Sequence, residues 1–238
     1  MNDFYYLLSR YLPMFLDGMR TTAAVSVFGF MLAFGIGLSG AAARQSNSRI
    51  LTTVAAGYVE IIRNTPMLLQ VFIIYFGLPS VALKFSNYQA AIIALGISGG
   101  GYLIEIFRSG FAAIPRGQRE AASTLGLSSA DTYFSVLLPQ AMRIVYPPTV
   151  GQFLQMVLGS SLLSVIGLTE ITGQAQVINE ETFMSMPTFI IALFAYLVLT
   201  NAISLCATIA GRFLFKPPLH VVQGQMKSPR NFLRRVKG

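Results

Sequence analysis

The sequence predicts an all-α integral membrane protein with five transmembrane helices and a structured loop on one side of the bilayer. Three observations carry that prediction. Apolar residues make up 54% of the 238 and charged residues only 11%, where a soluble domain carries roughly 25% charge. Four stretches hold no charged residue at all: 21–43, 85–104, 144–169 and 182–211. The Lys and Arg residues fall between these apolar blocks instead of sharing a face with stacking aromatics. The net charge of +8 therefore reads as a topology signal, not as a nucleic-acid surface. A single cysteine, Cys206, and a single histidine, His220, leave no material for a disulfide framework, a Cys/His metal centre or a histidine triad.

Taken in order, residues 1–18 form an extracytoplasmic segment with Phe4, Tyr5, Tyr6, Leu7, Leu8, Tyr11, Leu12, Phe15 and Leu16 around a few charges, which suits an interfacial amphipathic helix. The first apolar block is too long for a signal peptide, and Asp3 and Asp17 precede it. Spanning a bilayer takes about 20 apolar residues, which gives spans at 21–43, 86–108, 144–167 and 187–211. A fifth, 51–78, is apolar except for Glu60 and Arg63. Glycines at 29, 35, 37 and 40 and at 96, 99, 100 and 101 predict close helix contacts in spans one and three. With the N-terminus outside, thirteen Lys/Arg residues lie inside and three (Arg10, Arg20, Lys84) outside. This bias predicts an extracytoplasmic N-terminus and a cytoplasmic C-terminus. The tail 214–238, basic from Lys227 to Lys237, is drawn to anionic lipid headgroups.

The loop 109–143 is too long for a turn and too apolar to be merely solvated. Pro115 opens a helix, Gln118 to Leu125 favours one, and Gly126 ends it. Ser128 and Asp131 start a second piece, and Pro139 marks entry to span four. Such an elbow serves either as a docking element for a soluble partner or as a connector on the membrane surface.

The residues of this loop resemble a known signature. Glu120-Ala121-Ala122, Gly126 and Val136-Leu137-Leu138-Pro139 match the EAA–x3–G–x9–I–x–LP motif of ABC-importer permeases, with valine for isoleucine. Arg63-Asn64-Thr65-Pro66-Met67-Leu68-Leu69-Gln70, Glu105 to Gly110, and Ser160-Ser161-Leu162 are similar to further blocks of the polar-amino-acid permeases. The resemblance implies the type I ABC importer permease fold, with residues 19–213 as its transmembrane domain. It implies four kinds of partner: a second permease, identical or paralogous; a pair of cytoplasmic ATPases at 109–143; an extracytoplasmic amino-acid-binding protein; and membrane lipid. This chain has no phosphate-binding G-x-x-x-x-G-K-[S/T] loop, so ATP and Mg²⁺ are expected on the ATPase and no cofactor or catalytic residue on this chain. Carried over, Glu120, Ala121, Ala122, Gly126, Leu138 and Pro139 are the expected coupling residues.

Ionisable groups inside a span are costly and mark function. Glu60 and Arg63 are spaced to share a helix face and pair. Arg63 suits a substrate carboxylate, and Gln70, seven residues on, is expected to face the same way. Thr65, Ser160 and Ser161 complete the expected substrate pathway. The family's polar or charged pair before Ser160 is replaced by Leu158-Gly159, so a basic substrate side chain would meet no acid in this subunit. A small secondary transporter or a channel subunit is the alternative class. Neither explains the elbow, no internal repeat supports a secondary transporter, and neither should retain an ATPase in a detergent pull-down.

Overall fold

The computed structural model describes residues 2–215, and all ordered elements among them are helical. The basic tail with His220 lies outside the described residues. Helix α1 runs without interruption from Asn2 to Arg44, 43 residues, or about 65 Å at 1.5 Å per residue. The expected interfacial segment is therefore the first part of α1, not a separate helix lying on the membrane. The reason is packing: Leu7, Tyr11 and Phe15, spaced by four, are buried against Ile171, Ala175 and Ile178 and against Ile191 and Ala192. Tyr11 also donates to Glu181 at 3.1 Å. Helix α2 (Arg49–Arg63) returns beside α1.

The expected second span, 51–78, is not one straight helix. Helix α2 stops at Asn64, and α3 (Met67–Phe72) continues through a π turn (Ile73–Gly77) and a 3-10 turn (Leu78–Val81). The two halves meet at 107°. Pro66 is the local cause, since it biases Thr65 away from the helical region and has no N–H to give. Gln70, buried at the bend, donates to the carbonyls of Ile62 at 3.0 Å and Thr65 at 3.1 Å. A Gln70→Leu substitution strips both carbonyls of that partner. The expected loss is about 1–3 kcal/mol, measurable as a lower thermal midpoint in detergent.

Helix α4 (Asn87–Ala112) is the central element, opened by a reciprocal capping box between Ser86 and Gln89. It lies along α1 at close range. A Cβ on Gly37 would stand 2.7 Å from Leu103 Cβ, and one on Gly96 2.5 Å from Leu32 Cδ2. Gly35 is the exception to the expected set, with nothing within 4 Å. After the loop helix α5 (Arg116–Thr124), the short α6 (Ser129–Asp131) passes through a π turn (Thr132–Leu137) into α7 (Leu138–Gly159) and a 3-10 turn (Ser160–Ile166). Helix α8 (Ile171–Thr182) and the long α9 (Ser185–Leu214) complete the fold. Among the described residues four helices are long and apolar enough to cross a membrane, and the bent pair brings the number to five if its two halves count as one broken span.

Candidate functional site

The elbow is built by backbone geometry. Gly126 sits at φ 74 in the left-handed region, where its N–H donates to Ser123 O at 3.0 Å and Leu127 N–H to Ala122 O at 3.1 Å. That pair of bonds is a Schellman cap, which needs a left-handed residue just past the helix. Ser128 then accepts from Asp131 N–H and caps the next piece. The second arm does not stop at Pro139. Residues 129–166 form one continuous helical path, with Pro139 in its interior, because the preceding π turn already shifts the hydrogen-bond register. The elbow is thus joined to span four without a hinge.

Of the expected coupling residues, Ala122 is buried while Glu120, Ala121 and Gly126 are exposed. Leu138 is half-buried and Pro139 exposed, and it is Leu137 that enters the core. Glu120 makes no ion pair among the described residues. Behind it a cleft of about 450 Å³ is lined by Phe111, Ile114, Arg116, Arg119 and Leu137, and Phe111 stacks on Tyr133 with ring centres 5.6 Å apart. Sequence reasoning missed the apolar knobs here. Leu125 at the tip is 80% exposed and Phe134, in the π turn, 64%.

The expected substrate residues divide into two groups. Glu60 does not pair with Arg63; its carboxylate accepts from Asn64 Nδ2 at 2.8 Å. Arg63 instead lies over the Tyr102 ring at 5.5 Å. Thr65 donates to Ile61 O at 2.6 Å. The 107° bend turns Gln70 away from Arg63 and into the interior, so the expected shared face does not exist. Ser160 and Ser161 bond back to Val157 O and Leu158 O, both at 2.8 Å. The groups meet at one point: a Cβ on Gly159 would stand 3.3 Å from Met67 Sδ, just past the bend. Ser161 also lines a groove of about 650 Å³ with Leu158, Thr172, Tyr196 and Asn201.

Two polar nodes escaped the sequence. Glu105 is held by Arg108 through contacts of 2.7–3.2 Å, with Arg44 of α1 at 3.7 Å. Glu170, in the connection between the 3-10 turn after α7 and helix α8, is 0% exposed. It caps α8 by accepting from Gly173 N–H at 2.8 Å, and it also accepts from Tyr196 and Thr22. Burial pushes its carboxyl above the usual carboxylate range, while those hydrogen bonds pull it partly back. Its position just before Ile171-Thr172-Gly173, as a helix cap, was the available signal.

The model of the family described as "Binding-protein-dependent transport system inner membrane component" matches residues 33–216. The chain belongs to this family. The permease is 35% identical over 192 residues to the probable glutamine ABC transporter permease protein GlnM of Bacillus subtilis (strain 168), covering 81% of this chain and 89% of that one. It is 35% identical over 195 residues to the glutamine transport system permease protein GlnP of Escherichia coli (strain K12), covering 81% and 89%. Among solved structures, the crystal structure of an amino acid ABC transporter with histidines superposes with TM-score 0.81 at 32% identity, over 87% of this chain and 96% of that one. The inward-facing MetNI methionine ABC transporter matches with TM-score 0.65 at 20% identity, a likeness of fold. The chain is a permease of the amino-acid ABC importer family, an inner-membrane component.

Proposed function

We propose that this permease forms the membrane path of an importer for a neutral polar amino acid, delivered by an extracytoplasmic binding protein and driven by separate ATPase subunits. The observation that carries the reading is the elbow: an exposed helix with bare Leu125 and Phe134, capped at Gly126 and continuous with span four. A partner that grips the elbow and changes shape on hydrolysis would move α7 as a rigid arm. ATP and Mg²⁺ belong to that partner. In this reading the elbow faces the cytoplasm, with the N-terminus outside, and a second permease closes the open face of α9. A C-terminal reporter is expected to be active only in the cytoplasm.

The substrate class follows from what the path lacks. Gly159 offers no charge, and Glu170 is sealed behind Tyr196, so a cationic side chain would keep its full desolvation cost. The relatives named for glutamine support a carboxamide side chain. The test is reconstitution of the permease with its ATPase and binding protein. Glutamine-loaded binding protein is expected to stimulate ATP hydrolysis; stimulation only by lysine or arginine would overturn the substrate class. Arg63 is the proposed partner of the substrate carboxylate. Arg63→Ala should lower uptake at least tenfold, about 1.4 kcal/mol, with the complex intact. The exposed cation–π contact it gives up is worth only about 0.5–1 kcal/mol to folding. Arg63→Lys should recover uptake in part, since an ammonium lacks the planar fork.

A further inference from the structure

Between the arms of the α1–α2 hairpin, on a floor of α4, runs a groove of about 510 Å³. Its walls include Gly40 and Ala43 of α1, Leu51, Ala55 and Tyr58 of α2, and Ile104 of α4. The two hydroxyls along it are already spent. Ser39 bonds back to Gly35 O at 2.9 Å, and Tyr58 donates to Ile97 O at 2.6 Å. Nothing there asks for water or for a polar ligand, so the groove suits hydrocarbon.

One end is strongly basic. The α1 wall ends at Ala43, and Arg44 follows; the α2 wall begins at Leu51, two residues after Arg49. Beside Ile104, the Glu105 carboxylate is engaged by Arg108 at 2.7 Å, while Arg44 reaches it only at 3.7 Å. The Nε of Arg44 is buried without a hydrogen-bond partner. Two guanidiniums, Arg44 and Arg108, thus share one carboxylate at the mouth of the groove, and Arg49, at the start of the α2 wall, adds a third positive charge with no acid of its own among the described ion pairs. Basic pockets between transmembrane helices match the headgroups of anionic lipids, and a guanidinium fork matches a phosphate bidentately.

We propose that this groove binds one anionic phospholipid, with an acyl chain lying between α1 and α2 and the phosphodiester held by Arg44 and Arg49. The site lies on the membrane-facing side of the hairpin and ties the two arms together where they turn.

The test exploits the absence of tryptophan from the chain. The full-length permease carrying Val54→Trp, in the groove, is reconstituted in bilayers containing brominated phosphatidylglycerol or brominated phosphatidylcholine. Quenching of the groove indole is expected at a several-fold lower mole fraction of the brominated phosphatidylglycerol. A control indole at Leu205→Trp on α9 should show no preference. Arg49 is exposed and outside the Glu105 ion cluster, so Arg49→Gln keeps the fold and should at least halve the preference. Adding Arg44→Gln should abolish it. Equal quenching by both lipids would overturn the proposal, as would a preference that survives Arg49→Gln. Failure of either lipid to quench would also overturn it, by showing that protein covers the groove. Uptake is not measured, so the transport reading stands or falls separately.

Discussion

A permease carrying Gly126→Val is expected to insert and fold its bundle but to lose uptake entirely. No atom lies within 4 Å of where a Cβ on Gly126 would stand, so steric room is not the obstacle. The obstacle is the backbone at φ 74, where an L-residue costs roughly 1–2 kcal/mol and a β-branched one more. The cheapest relief is to undo the Schellman cap, which frees the carbonyls of Ala122 and Ser123 and swings the elbow off its docking geometry. Asparagine tolerates the left-handed region, so Gly126→Asn should retain a substantial fraction of uptake. Glu120→Lys tests the same surface by charge: its carboxylate makes no ion pair among the described residues, so lost uptake at matched expression would place its effect in the ATPase contact. Uptake measured in vesicles, beside co-purification of the ATPase, decides between these outcomes. Normal uptake in Gly126→Val would remove the elbow from the mechanism.

Replacing Glu170 with alanine is expected to give the largest loss of stability of any single change in the permease. The carboxylate joins three elements, accepting from Thr22 on α1, Gly173 N–H on α8 and Tyr196 on α9. Its removal leaves those donors buried and unpaired at about 1–3 kcal/mol each. A total near 3–5 kcal/mol places it among the severe substitutions. Thermal unfolding in detergent, followed as loss of helical circular dichroism, reads this directly. Glu170→Gln should cost much less, since its carbonyl still accepts.

The same residue sets a pH dependence. Its folded carboxyl is raised by burial. Its contribution is therefore fully present below the usual carboxylate range and is lost as pH rises through the raised folded value. The stability difference between the wild type and Glu170→Gln should fall across that window. A difference that stays flat, or that rises with pH, would show that the carboxyl is not raised.

Much of this architecture was legible in the chain. The charge-free runs locate the helices because hydrocarbon thickness sets a minimum length, and the glycine rows of spans one and three mark the α1–α4 contact because only small residues let helix axes approach closely. Gly126 was readable as a helix end because the left-handed cap selects glycine. The reading failed where distant residues decide the outcome. Residues 1–18 look interfacial by themselves, and only the partners supplied by α8 and α9 make Leu7, Tyr11 and Phe15 a core. Glu60 and Arg63 have pairing spacing, yet Asn64 and Tyr102 compete successfully for them.

Composition and local pattern thus determined the membrane class, the four long apolar helices and the position of the elbow, since these depend on burial in lipid and on neighbours within a turn or two. Tertiary structure alone decided that Gln70 enters the interior while Arg63 turns to Tyr102, that Leu7, Tyr11 and Phe15 become core, and that Glu170 is buried. Each depends on which groups separated along the chain meet in space. Where water is excluded, a polar group's role is set by the partner it finds.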